Sequence, residues 1–192
     1  MIMKNGTISL DKSRGENMAK ILRPTYIYES VDKIPFEILE KNKIKGLIFD
    51  LDNTLTDYKG IISKEKADWI REAKARNIRM CILSNSHRQK KIRGFMKELD
   101  INGLNFAMKP LQRGYGFALD LLDLPKDQVC MIGDQVFTDI WGANIFGIIS
   151  ILVRPFDKNE EFWVKIKRPI ENIILKDHKQ YKADIKMKKG KK

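Results

Sequence analysis

A chain of 192 residues, 43% of them hydrophobic and with a net charge of +12, can form one domain with a buried core, since about 100 to 200 residues per domain is usual. Its longest apolar run, Ile145 to Val153, is interrupted by Gly147 and Ser150 and falls short of the roughly 18 to 20 apolar residues that span a bilayer as a helix. With no secretory signal visible and with Cys81 and Cys130 each inside an apolar run rather than in a disulfide or metal-ligand spacing, the expectation is a reduced cytoplasmic protein, at most peripheral to the inner face of a membrane.

Residues 1–17 are polar and without period, and are read as a disordered arm or as an over-extended reading of the gene before Met18. Residues 18–175 form the folded domain. Tyr26 to Asn42 carries apolar residues at Ile27, Val31, Ile34, Ile38 and Leu39, interrupted by Pro35, and predicts two short helical pieces. Gly46 to Leu51 predicts a buried strand. Ser63 then caps a helix to about Arg76, with Lys66 where a complete capping box has an acid, and Asn77 ends it. A strand at Arg79 to Leu83 precedes a basic helix from Arg88 to Leu99. A short strand around Asn105 to Met108 leads to Lys109-Pro110 and a helix from Arg113 to Leu122. Val129 to Ile132 is the next strand, followed by a helix through Thr138 to Phe146 and a last strand at Ile148 to Val153. A helix near Asn172 to Lys176 runs into a tail, residues 176–192, that holds eight lysines against Asp177 and Asp184. This alternation predicts a doubly wound α/β fold with a parallel five-stranded sheet.

Polar residues cluster where these strands stop: Asp50 and Asp52 with Thr54, then Ser84 and Asn85, then Lys109, then Asp134 and Asp139. Right-handed crossovers bring such strand ends to one edge of a sheet, where ligands of open α/β sheets bind. Taken alone, Asp52-Asn53-Thr54 would equally serve as a turn and helix cap, or the two carboxylates would share a hard cation such as Mg²⁺. Carboxylates, hydroxyl and amide donors and one lysine together suit phosphoryl transfer, which depends on positioning and charge stabilisation.

The order Asp-x-Asp-x-Thr, Ser-Asn, Lys-Pro and Gly-Asp-x₄-Asp resembles the haloacid dehalogenase (HAD) superfamily. Ile132-Gly-Asp-Gln-Val-Phe-Thr-Asp139 with Gly142-Ala-Asn144 is similar to the YqeG family of subclass IIIA phosphatases, over about Leu22 to Glu171. The resemblance implies a HAD-like Rossmannoid three-layer sandwich and a Mg²⁺-dependent phosphatase. Asp50 would be the nucleophile that forms an aspartyl-phosphate, and Asp52 the general acid and then base. Thr54, Ser84 and Asn85 would bind the substrate phosphate, Asn85 through its backbone N–H. Lys109 would neutralise developing charge. Asp50, Asp134 and the backbone carbonyl of Asp52 would hold the metal, with Asp139 behind them orienting Lys109 or a metal-bound water. His87 is read as a surface residue outside the chemistry.

Two departures bear on substrate. The family commonly has a second Asn where this chain has Ser86, and often an arginine after Gly-Gly-Asn, where this chain reads Gly142-Ala-Asn144-Ile145. The short connections Tyr58 to Ile62 and Arg88 to Leu99 leave no room for the cap domain that encloses small substrates in the superfamily, so the site is expected to be capless and open to a large substrate. Arg88, Lys90, Lys91, Arg93, Arg113 and the lysine-rich tail favour an anionic surface. YqeG-like proteins resemble the mitochondrial and plastid phosphatidylglycerophosphate phosphatases, which implies a phosphorylated anionic lipid as substrate and peripheral membrane contact. The alternatives are a soluble or nucleic-acid phosphomonoester, or a non-catalytic RNA-binding module; against the last, Tyr181 is the one aromatic residue among the tail lysines.

Overall fold

The structure, a computed structural model, describes residues 21–57, 60–87 and 89–154. The N-terminal arm, the helix expected near Asn172 and the basic tail lie outside the described residues.

In chain order the elements are β1 (Tyr26–Tyr28), α1 (Phe36–Lys41), β2 (Gly46–Phe49), α2 (Lys64–Ala75), β3 (Arg79–Leu83), α3 (Gln89–Leu99), β4 (Asn102–Leu104), α4 (Gln112–Leu122), β5 (Val129–Gly133), α5 (Trp141–Phe146) and β6 (Ile149–Val153). All pair in parallel in one sheet of order β1-β6-β5-β2-β3-β4. The two central strands, β2 and β5, are buried throughout, as expected when helices cover both faces.

Alternation along the strands sorts the core into two layers. Leu47, Phe49, Cys130 and Ile132 face a cluster that includes Leu39, Trp69, Ile70, Ala73 and Phe95 from α1, α2 and α3. Ile48, Cys81, Leu83, Val129 and Met131 face Tyr115, Ala118 and Leu122 of α4 and Ala143 of α5. This is the expected three-layer α/β sandwich.

Two elements differ from expectation. The sheet has six strands rather than five, because Tyr26–Tyr28 pairs with Ile151–Val153 at the edge instead of starting a helix. Ile27, Val31, Ile34 and Ile38 are spaced like a helical face, yet the aromatic–Ile–aromatic triplet buries only its middle residue, which is a strand pattern. The strand expected at Asn105 to Met108 forms earlier, at Asn102–Leu104. Phe106 and Met108 have φ of 55° and 53°, values no strand allows. Gly103 makes the earlier pairing possible, since a Cβ there would lie 2.4 Å from the Ile82 carbonyl oxygen.

The helix ends follow the sequence signals. Ser63 accepts a 3.4 Å hydrogen bond from the Lys66 amide, and Asn77 has the left-handed φ of 59° suited to a residue just past a helix. Both cysteines are buried and unbridged, and burial pushes the Cys81 thiol up to about 12. Because only the thiolate is reactive, the native protein is expected to leave a thiol reagent unreacted at about pH 8, with both thiols titrating once it is unfolded. Rapid reaction of either thiol in the native state would contradict their place in the central strands.

Candidate active site

Asp50 is the first residue beyond β2. Its amide donates to the Ile132 carbonyl (2.9 Å), which extends the β2–β5 ladder by one step. The registers Phe49↔Ile132 and Phe49↔Ile82 therefore set Asp50 level with Gly133 and Leu83, next to Asp134 and Ser84. Past Asp50 the chain turns tightly. The amides of Leu55 and Thr56 both donate to the Leu51 carbonyl (3.1 and 3.0 Å), and Asn53 takes the left-handed conformation (φ 64°) that Asn tolerates well. Asp52 is half-buried on this turn, whereas Thr54 is buried.

Lys109 reaches into the same point from the connection after β4. Its Nζ lies 2.6 Å from Asp50 Oδ1 and 2.7 Å from Asp139 Oδ1, with all three side chains buried. Burial alone would disfavour its charge, but Asp139 and Asp50 outweigh that and hold the ammonium protonated above the ordinary lysine range. Burial pushes the Asp50 carboxyl up to about 7; Lys109 opposes the shift, while Asp139 and Asp52 add to it. The negative charge gathered at this edge is more than one lysine offsets.

That excess is the basis for a cation site. Carboxylate oxygens of Asp50, Asp134 and Asp139 lie within 4.8 Å of one another, a buried all-oxygen donor set of the kind hard divalent cations take. Asp139 is already committed: Oδ1 pairs with Lys109 and Oδ2 accepts the Gln135 amide (3.0 Å). This leaves Asp50 and Asp134 as the carboxylates best placed to hold a metal, and Asp139 as the group that holds the lysine.

Asp139 sits on a single π turn, Val136–Ile140. Gly133 makes its position possible, since a Cβ there would lie 2.3 Å from Asp139 Oδ2. Tyr115 fixes it from behind. The buried phenol donates to the carbonyls of Thr138 and Asp139 (3.0 Å each), and Gly142 has no Cβ where one would stand 2.4 Å from that hydroxyl.

The phosphate-binding candidates divide. Thr54 Oγ1 is buried and makes no hydrogen bond among the described residues, an uncommon state for a buried polar atom. Ser84 is buried, and its Oγ accepts the Ser86 amide (3.1 Å), which leaves its hydroxyl proton available. The Asn85 side chain clamps Lys109: Oδ1 accepts the Lys109 amide (2.7 Å) and Nδ2 donates to its carbonyl (2.9 Å), and its backbone N–H is the group expected to meet phosphate. His87 is exposed, as expected.

Sequence reasoning missed three supporting residues. Tyr115 reads as one apolar position of a helix, and nothing local marks it as Asp139's anchor. Lys66 was weighed only as an incomplete capping box, yet it is buried on α2, and its Nζ donates to the Thr54 carbonyl (2.5 Å). Its ammonium pKa is lowered by burial, with Asp32, Asp57 and Asp134 opposing. Asn144, in the motif Gly142-Ala-Asn144, donates to the carbonyls of Ile21 and Arg23 (2.7 and 2.9 Å) and accepts from Ser150 (2.7 Å), tying the N-terminal segment to β6.

A parallel α/β sheet with acids, a lysine and hydroxyls at one edge suits phosphoryl transfer, which depends on positioning and charge stabilisation. Residues 60–147 match the family of haloacid dehalogenase-like hydrolases. The chain is 30% identical over 159 residues to "Probable phosphatase YqeG" of Bacillus subtilis, covering 82% of this chain and 92% of that one. It is also 30% identical over 156 residues to "Phosphatidylglycerophosphate phosphatase 1, chloroplastic/mitochondrial" of Arabidopsis thaliana, covering 74% of this chain but only 44% of that protein. An uncharacterized protein of Corynebacterium glutamicum shares the fold, with a TM-score of 0.50 and 22% identity over 65% of this chain and 93% of that one. The chain belongs to the HAD family of hydrolases, on the phosphatase branch that holds YqeG.

Removing the central cation tests the geometry. Lys109→Met leaves Asp50 and Asp139 buried around an apolar chain, and is expected to cost about 3 kcal/mol or more in urea unfolding unless a divalent cation is added. Tyr115→Phe removes a hydrogen bond and should cost about 1 kcal/mol while slowing turnover. A Lys109→Met protein as stable as wild type without added metal would rule out the ion-pair arrangement.

Proposed function

We propose that this protein is a Mg²⁺-dependent phosphomonoester hydrolase that works through an aspartyl-phosphate on Asp50 and acts on phosphatidylglycerophosphate at the inner, cytoplasmic face of a membrane. The observation that carries the catalytic part is the buried Lys109 held between Asp50 and Asp139 beside Asp134. The lipid part draws on the likeness to the plant phosphatase and on the positive charge of the chain.

In the first step an Asp50 carboxylate oxygen attacks phosphorus, and the bond from phosphorus to the alcohol oxygen breaks. Asp52, nearer solvent than Asp50, gives its proton to that oxygen as it leaves. In the second step Asp52 takes a proton from water as the water oxygen attacks phosphorus. The acyl–phosphate bond breaks, inorganic phosphate departs, and the Asp50 carboxylate is restored. Lys109, fixed by Asp139 and by the Asn85 clamp, meets the charge on the transferring oxygens without reorganising. Thr54 and Ser84 direct their hydroxyls at the phosphate. Asp50, Asp134 and the Asp52 carbonyl would hold Mg²⁺, which when bound would reduce repulsion between the carboxylate and the phosphate.

The shortness of the connections around the site supports a large substrate. The connection from β2 to α2 spans 50–63, and only α3 separates β3 from β4, lengths too small for an independently folding cap, which needs about 40 residues or more. Basic residues would hold the enzyme at an anionic surface.

Phosphate release from vesicles carrying phosphatidylglycerophosphate is the test. Wild type with Mg²⁺ should release phosphate, and Asp50→Asn should lose about three orders of magnitude or more, since the nucleophile itself is gone. Release from small phosphomonoesters but not from the lipid would replace the substrate assignment. Absence of hydrolysis of either, with RNA binding retained in Asp50→Asn, would replace the enzyme by a binding module.

A further inference from the structure

Four of the seven exposed large apolar side chains among the described residues belong to the connections that carry the catalytic groups. Ile61 (60% exposed) follows β2, Phe106 (50%) and Met108 (45%) follow β4, and Leu111 (56%) stands at the start of α4. Because every strand is parallel, these connections leave the sheet at the edge that holds Asp50, Ser84, Lys109 and Asp134. The His87 ring, from the connection after β3, lies against Phe106 at 4.5 Å. Phe106 and Met108 both have the left-handed φ of 55° and 53°, which bulky residues adopt only at an energetic cost. Between them Ala107 is buried. The local backbone thus turns inward on the small residue and leaves the two large ones in water.

Neither core packing nor the chemistry of the site explains that exposure. Arg113, the second residue of α4, and Arg93, the fifth residue of α3, are exposed, each on a helix that follows one of the strand ends at this edge. Apolar side chains on loop tips, interspersed with arginines and set around a polar centre, match an interface with acyl chains below and anionic headgroups above. We propose that Ile61, Phe106, Met108 and Leu111 seat the active-site edge on the surface of an anionic phospholipid bilayer, an inference that rests on the lipid reading of the site. The rim enters the headgroup–acyl boundary, the arginines meet lipid phosphates, and the catalytic edge faces the headgroups directly. Docking through this rim is separate from any attraction of the basic tail, which salt would screen.

The double variant Phe106→Asn/Leu111→Ser tests it without endangering the fold. Asn suits the left-handed backbone at 106, and Ser supplies α4 with the capping hydroxyl that Leu111 cannot, so thermal stability should be equal to or above wild type. Full-length protein is sedimented with phosphatidylcholine vesicles containing roughly 30% phosphatidylglycerol, at low salt and at about 0.5 M salt, where surface charge is screened within a few ångströms. Wild type should remain vesicle-bound in high salt. The double variant should bind about tenfold less there, because two large apolar side chains no longer leave water, while its turnover of p-nitrophenyl phosphate is unchanged. Equal binding of variant and wild type in high salt would overturn the proposal. So would a wild type that ignores vesicles but dimerises with concentration through these residues, which would assign the face to a second copy. If wild type docks and the variant does not, yet phosphatidylglycerophosphate in the vesicles is not hydrolysed, the docking surface stands and the substrate assignment falls.

Discussion

The ammonium of Lys109, buried between Asp50 and Asp139, is the contact on which the arrangement of this edge depends. Charges so far from water are tolerable only when paired and hydrogen-bonded. The three groups come from separate connections, after β2, β4 and β5, and parallel pairing around a central β2 is what brings those connections together. Much of the neighbouring sequence serves to hold the trio. Gly133 clears space for the Asp139 carboxylate, Tyr115 and Gly142 set the π turn that carries it, and Asn85 grips the Lys109 backbone. Pairing Lys109 with two acids also leaves a net negative charge once Asp134 is counted, and that residual charge suits the same edge to a cation.

The fold was legible where local and tertiary signals agree. β3 ran from Arg79 to Leu83 as read, and Ser63 and Asn77 bounded α2, because turn chemistry and hydrophobic period pointed the same way there. Tyr26–Tyr28 was misread because three residues hold too little periodicity to separate a strand from a helix, and it is the pairing with β6 that decides. β4 was displaced for a related reason. Asn102-Gly103-Leu104 has poor strand propensity, and what selects it is the absence of a Cβ against Ile82, a contact between residues far apart in sequence.

Each site residue was recognisable by type and by its place at a strand end, but not the partner each would take. Asn85 was recognisable for its backbone N–H, but that its side chain clamps Lys109 is something only the spatial closeness of two connections reveals. Lys66 was hidden more deeply. A lysine in the first turn of an amphipathic helix usually points to water; here it is buried, and its charge supports the Thr54 carbonyl. Its bond restrains the Asp50–Thr56 turn, and burial pulls its ammonium pKa down against the opposing Asp32, Asp57 and Asp134.

The depth of the charged groups and the character of the rim together constrain what can reach them. Asp50, Asp134 and Lys109 are nearly inaccessible, so a phosphate must project from its carrier to meet them. The surrounding connections present the large apolar side chains of Ile61, Phe106, Met108 and Leu111 to solvent. A small soluble phosphomonoester would gain little from such a rim, and a nucleic acid would use its arginines but not its apolar tips. The lipid phosphomonoester proposed as substrate would have a terminal phosphate projecting from its headgroup and an apolar body for the rim to contact. The burial of Asp50, Asp134 and Lys109 and the exposure of Ile61, Phe106, Met108 and Leu111 around them therefore set charge kept out of water at the centre beside apolar surface left in water at the edge, the contrast on which the proposed membrane docking rests.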